Sequence, residues 1–233
     1  MTKTAGMGDN FYIGGYDLSG DVGSLSRIGG GPSPLEVTGI NASAPERLGG
    51  KRDGGMEFSS WFNPGALAAH VALAPLPTAN VIAAYFRGTA IGNPAASQLS
   101  KQINYDPNRP EDGSLSMAVQ ALANGFGLEW GDQLTAGKRT DTGATPGTAS
   151  DSGAATTNFG LQAYLQVFSF SGTDVTIKIQ ESSDNAGDPY PEVVGGGFTQ
   201  VPSAPQAQRI ATATNLAVER YLKVTTVTTG GFT

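Results

Sequence analysis

Apolar and polar residues alternate with a period of two through much of the chain, and this pattern predicts strands. In Phe159 to Phe170, Leu161, Ala163, Leu165 and Val167 alternate with Gln162, Tyr164 and Gln166. In Asp174 to Glu181, Val175, Ile177 and Ile179 alternate with Thr176, Lys178 and Gln180. With Ser171-Gly172-Thr173 between them, the two are expected to form a hairpin. Ile210 to Thr214 and Val218 to Val227 complete the strands of the last third, Leu222 and Val224 opposing Tyr221, Lys223 and Thr225.

Towards the start, Phe11 to Ser19 reads as two short strands around Gly14-Gly15, with Ser24 to Ile28 a candidate continuation. Gly29-Gly30-Gly31-Pro32 is expected to break it. Leu35 to Ile40 is a further strand candidate. Asn41 to Gly55 is polar, glycine-rich and mixed in charge, and reads as an exposed loop leading into a strand over Met56 to Phe62. Asn63 suits a helix N-cap and Pro64 the first helical position, so a helix is expected from Pro64 to about Leu73, ending before Pro75. Asn80 to Arg87, Leu99 to Tyr105 and Ser114 to Leu122 read as strands, with a turn-rich link over Asp106 to Gly113.

Thr135 to Asn158 differs from the rest. It holds no aromatic residue and no Val, Ile, Leu or Met, so it cannot build a core. It is expected to be a low-complexity excursion, either mobile or ordered on a neighbouring subunit. The prediction is a mainly β fold over residues 1–233, a single β domain with one flanking helix. The 33 glycines and 14 prolines fit many short strands joined by turns.

Composition narrows the function. Charged residues are 15% and hydrophobic residues 39%, which is neither a membrane protein nor a charge-rich disordered chain. The net charge of -6, from 14 basic and 20 acidic residues, argues against gripping nucleic acid. With no cysteine, disulfides, Cys–zinc sites and thiol nucleophiles are excluded. Met1 to Asn10 lacks the apolar stretch of a signal peptide, and Ala66 to Leu76 is too short to span a bilayer. The protein is therefore expected to be made in the cytoplasm.

Catalytic equipment is sparse. His70 is the single histidine, set in an Ala/Val/Leu stretch with no Ser or Asp placed by a motif. Gly125-Phe126-Gly127 lacks the spacing of a dinucleotide fingerprint and reads as a turn. The acidic run Glu181 to Asp188 has oxygen ligands for calcium but not the EF-hand spacing, and is read as a solvated hairpin tip. Trp61 and Trp130 are read as core or subunit contacts rather than a stacking platform. No enzyme activity, cofactor or metal is expected.

Several stretches, in order, resemble the tail tube proteins of siphophages, especially those of actinobacterial hosts. They are Tyr12 to Ser26, Val37 to Asn41 with Ala44 to Gly54, Gly127 to Gly131, Ala163 to Val167, Ile177 to Asp184 and Arg220 to Val224. The family pattern would continue with a further strand after Val227, where this sequence has Gly230-Gly231-Phe232-Thr233.

The resemblance implies a tail-tube-type β-sandwich or barrel with long inter-subunit loops. Six copies would form a ring, and rings would stack into a tube around a tape-measure protein. The tube would carry DNA during ejection without binding it specifically, and would meet tail-terminator and distal tail proteins. The place would be the virion tail, assembled in the host cytoplasm. Glu46, Arg47, Lys51, Arg52 and Asp53 are the expected inter-ring loop. Rival readings are a carbohydrate- or receptor-binding β-sandwich, a capsid decoration protein and, last, a hydrolase.

Overall fold

The computed structural model describes residues 5–76, 78–157, 159–186 and 190–232. The described elements, in chain order, are β1 (Asn10–Ile13), β2 (Tyr16–Asp17), β3 (Val22–Glu36), β4 (Arg47–Trp61), α1 (Ala69–Leu73), β5 (Val81–Phe86), β6 (Pro94–Gln102), β7 (Asp106–Asn108), β8 (Ser116–Ala123), β9 (Glu129–Asp132), β10 (Ser150–Thr157), β11 (Gln162–Val167), β12 (Thr176–Ser182), β13 (Glu192–Gly197), β14 (Gln206–Ala211) and β15 (Val218–Val227). The protein is mainly β, and the pairings β1–β2, β3–β4, β4–β8, β6–β8, β7–β8, β10–β15, β11–β14, β12–β13 and β12–β15 are antiparallel. Two compact units are each assembled from separated stretches: Met1–Ser19, Ala84–Ala95 and Trp130–Thr233 in one, Gly20–Ala83 and Ala96–Glu129 in the other.

The first unit holds a sandwich. A four-stranded sheet, β10-β15-β12-β13, faces the two-stranded sheet β11-β14. Period-two alternation turns Ile177, Ile179, Val218 and Leu222 inward, where Val193, Phe198 and Val201 join them. Leu161, Leu165, Val167 and Ile210 close the core from the other sheet. The predicted hairpin over Phe159 to Glu181 is therefore corrected. β11 pairs with β14, and β12 pairs with β13 and β15. Both strands turn apolar faces to one core, which opposed sheets satisfy as well as neighbouring strands do.

The Thr135 to Asn158 excursion is also corrected, apart from Asn158, which lies outside the described residues. The segment is ordered on its own chain. Arg139 donates to the carbonyls of Val224 (2.7 Å) and Thr145 (2.6 Å). Gly147 N donates to Val224 O at 2.8 Å, and β10 then pairs with β15. An edge strand needs backbone partners more than apolar side chains, so a Thr/Ser/Gly strand suffices there. β15 is thereby an inner strand, between β10 and β12.

In this unit the opening hairpin matches its prediction, with Gly14 and Gly15 at φ 60 and 88° in the turn. Gly15 N donates to Gln166 Oε1 at 2.6 Å, and a Cβ on Gly15 would strike the Gln206 and Val167 main chain. The Tyr12 ring packs on Phe86 and edge-on to Phe168.

The second unit is built on strands ordered β6-β8-β4-β3, with β6 entering it from Ala96. One edge of β8 pairs with β4 from Ser116 to Leu122. Its other edge takes β7 at Ser116–Ala118 and β6 at Ala121–Ala123. Met56, Phe58, Met117, Val119, Ala121 and Leu73 are buried here.

Several expectations are revised in this unit. Gly29-Gly30-Gly31-Pro32 does not end its strand, because each residue finds a ladder partner in Asp53 to Gly55 and Arg52. The strand expected over Leu35 to Ile40 stops at Glu36, and the loop expected over Asn41 to Gly55 is strand from Arg47 onward. β6 starts five residues before the expected Leu99, and Asp106 to Asn108 is a short strand within the expected link. The helix has five residues rather than ten. Asn63 Oδ1 accepts from Gly65 N, while Asp21 Oδ2 takes the Ala69 amide at 2.9 Å, so a distant carboxylate begins the helix.

Candidate functional site

The feature that its own unit leaves uncovered is the long β3–β4 hairpin. Its inner half, Val22 to Ile28 against Met56 to Ser60, lies beside β8 and shares the core. β8 stops pairing at Gly55. Beyond that point, among the described residues, Pro32 to Glu36 and Arg47 to Arg52 pair only with each other, and the ribbon ends in the connection Val37 to Glu46.

Glycines mark the transition. Gly29 lies opposite Gly55 and Gly30 opposite Gly54. A Cβ on Gly30 would lie 2.5 Å from Asp53 O and 2.8 Å from Leu128 Cβ. The buried Leu128 side chain thus occupies the space that the paired glycines leave open. Beside it, Gln98 Nε2 donates to Ala121 O at 2.9 Å.

The five residues expected to form an inter-ring loop are all exposed and close in sequence. Arg47, Lys51, Arg52 and Asp53 lie on β4, and Glu46 lies in the connection just before it. Glu46 ends the connection, where its carbonyl accepts from Val37 N at 2.9 Å and its amide donates to Thr38 Oγ1 at 3.0 Å. Arg47 is opposite Glu36, Arg52 opposite Pro32 and Asp53 opposite Gly31, while Lys51 falls at a register shift. Sequence reasoning missed the apolar residues among them. Leu35 and Leu48 face each other across the ladder and are 53% and 60% exposed. Val37 is exposed and Ile40 fully so. The available signal was a set of isolated aliphatic residues in an otherwise polar stretch.

No family model matches the chain, and no curated protein matches it. Among solved structures it is similar to the crystal structure of SPP1 Dit (gp 19.1), described as a paradigm of the hub adsorption apparatus in phages infecting Gram-positive bacteria. The identity is 11% and the TM-score 0.35, over 94% of this chain and 98% of that one. At those values the likeness establishes neither a common fold nor a common function.

Elsewhere the polar groups serve the structure. His70 Nδ1 is 3.2 Å from Tyr105 Oη, and its ring packs on Phe62. Asp174 accepts hydrogen bonds from the amides of Thr229 and Gly230 and from the Thr228 and Thr229 hydroxyls. The Thr229 amide, first among these, holds its carboxyl down at about 2. In the acidic run Glu181 to Asp188, Asp184 accepts from Ala186 N, and Gly187 and Asp188 lie outside the described residues. Among the described residues, no group of three or more His, Asp or Glu is placed to hold a metal ion. No described helix is long and apolar enough to cross a membrane.

Proposed function

We propose that this chain is a structural subunit of a bacteriophage tail tube. Six copies close into a ring and rings stack into a hollow cylinder, around a tape-measure protein first and passing DNA later. The observation that carries the reading is the β3–β4 ribbon, whose outer part pairs with no other strand among the described residues and bears exposed aliphatic residues. A two-stranded ribbon in water is at best marginally stable, so a surface that completes it on another molecule gives it a purpose. The ordered run of stretches resembling siphophage tail tube proteins supports the same assignment.

Sheet margins support it as well. β11 and β14 form six consecutive pairs without a bulge. β11 is Gln-Ala-Tyr-Leu-Gln-Val, with no charge and no proline to deter pairing. The free margin of β3, by contrast, carries Pro32, Pro34 and Arg27. The net charge of -6 fits a lumen that does not retain DNA.

The protein then acts without catalysis or cofactor. Its partners are its own copies, the tape-measure protein and the terminator and distal tail proteins, in a virion tail assembled in the host cytoplasm. Negative-stain microscopy of the purified protein tests this: stacked hollow rings are expected. A persistent monomer with a saturable glycan site would replace it with the receptor-binding alternative, and a lone trimer with the decoration-protein one.

A further inference from the structure

The sequence holds a single Asn-Gly step, Asn124-Gly125. It lies in the turn between β8 and β9, and both residues are exposed. Gly125 has φ 82°, and a Cβ built on it would meet nothing within 4 Å. Glycine at this position leaves the backbone free to turn and its amide nitrogen open to approach. Among the described residues, Gly125 N is not held by a hydrogen bond.

Asn124, by contrast, is held twice. Its backbone amide donates to Leu99 O at 2.8 Å, and its side-chain Nδ2 donates to Asn80 Oδ1 at 2.8 Å. Leu99 lies on β6 and Asn80 just precedes β5, so Asn124 ties the end of β8 to both. A short way further along the same turn, buried Leu128 fills the gap at Gly30 and Gly54. The sequence also holds the Asp-Gly steps Asp53-Gly54 and Asp112-Gly113. Their ionised carboxylates resist attack by a nitrogen, whereas the neutral carboxamide of Asn124 does not.

We propose that Asn124 is a site of spontaneous deamidation in the folded protein, restrained by Asn80. The Gly125 amide nitrogen attacks Asn124 Cγ. A new N–Cγ bond closes a succinimide ring, the Cγ–Nδ2 bond breaks, and Nδ2 leaves as ammonia with the proton from Gly125 N. Water then opens the ring. Cleavage of the new N–Cγ bond leaves aspartate. Cleavage between Gly125 N and the Asn124 main-chain carbonyl carbon leaves isoaspartate, with the chain now running through Cγ. The hydrogen bond to Asn80 Oδ1 holds the leaving nitrogen and slows the first step. Either product sets a carboxylate against Asn80 Oδ1, an acceptor where a donor stood, and the tie is lost. Isoaspartate also lengthens the main chain just before Leu128, so the packing at Gly30 and Gly54 loosens as the protein ages. The inference stands independently of the tail-tube reading.

The test holds the purified full chain at mildly alkaline pH and follows residue 124 by peptide mapping with mass spectrometry. Loss of the amide is expected at Asn124 ahead of the other asparagines, with aspartate and isoaspartate both appearing. Asn80→Ala, checked for its native fold by circular dichroism, should convert severalfold faster than the wild type. Hydrogen exchange at the Leu128 amide, which donates to Asp53 O, should quicken as acid accumulates. An Asn124 that stays intact in the folded wild type would overturn the proposal, and its conversion in urea would then assign the protection to the fold. Equal rates in the wild type and Asn80→Ala would overturn the restraint assigned to Asn80.

Discussion

Gly30 lies opposite Gly54 at the root of the β3–β4 ribbon, and Leu128 fills the gap left by their missing side chains. A Cβ on Gly54 would sit 2.5 Å from Leu128 N and 3.1 Å from Gln98 Oε1. The backbone at Leu128 must therefore move to admit it. Gly54→Ala is expected to destabilise the protein by about 1–3 kcal/mol, as overpacked sites do. Urea denaturation measures this. Gly113→Ala, with open space around the site but φ 83°, separates crowding from backbone strain.

The outer ribbon contributes little to the fold of its own subunit, because its residues are mostly exposed and, among the described residues, its strands pair only with each other. Replacing Pro34 to Gly49 by an Asn-Gly turn should change stability by less than about 1 kcal/mol. Assembly should be lost. Circular dichroism and thermal melting check the first statement, and sedimentation checks the second. Deleting from one strand alone is a poorer test, since β4 would lose register with β3.

Arg139 joins the 135–149 segment to β15 through Val224 O and braces the segment internally through Thr145 O. Arg139→Ala should release this segment without unfolding the sandwich. Charge-assisted hydrogen bonds of this kind contribute about 1.5–3 kcal/mol. Hydrogen exchange should show faster exchange at the Gly147 and Thr226 amides, which donate to Val224 O and Thr145 O. Slow exchange there in the unassembled wild type would show that the segment orders on its own chain.

Asp174 makes stability depend on acid. Its carboxyl is held at about 2, below the ordinary 3.8, chiefly by the Thr229 amide. A carboxylate whose folded value is depressed stabilises the fold fully above its unfolded value. That contribution declines as pH falls from about 4 towards about 2. Asp151, also held at about 2, chiefly by Arg220, acts in the same direction. Melting temperature measured across this range should fall less steeply in Asp174→Asn than in the wild type, with the variant already less stable at pH 7.

Much of the strand content was legible in the sequence. β15 spans Val218–Val227 as its alternation predicts, and Gly14-Gly15 marks the first turn. Pairing was less legible. The strands containing Leu165 and Ile177 carry the same inward pattern whether adjacent or opposed across a core, and the short link between them suggested adjacency. The outer ribbon was hidden for a different reason. Its glycines and charges carry no strand propensity, and only the cross-strand register from Gly29–Gly55 to Glu36–Arg47 makes it a strand pair. For the same reason, the charged residues Glu46 to Asp53 were visible as a candidate surface, while Leu35 opposite Leu48 needed the register to appear.

Repetition of one polypeptide is the central claim, and sedimentation velocity across a wide concentration range addresses it most directly. The account predicts that the 23.8 kDa chain gives way with rising concentration to much larger, faster-sedimenting species whose formation requires the intact ribbon. A single species of monomer mass at every concentration, and one copy per particle in its native setting, would contradict it.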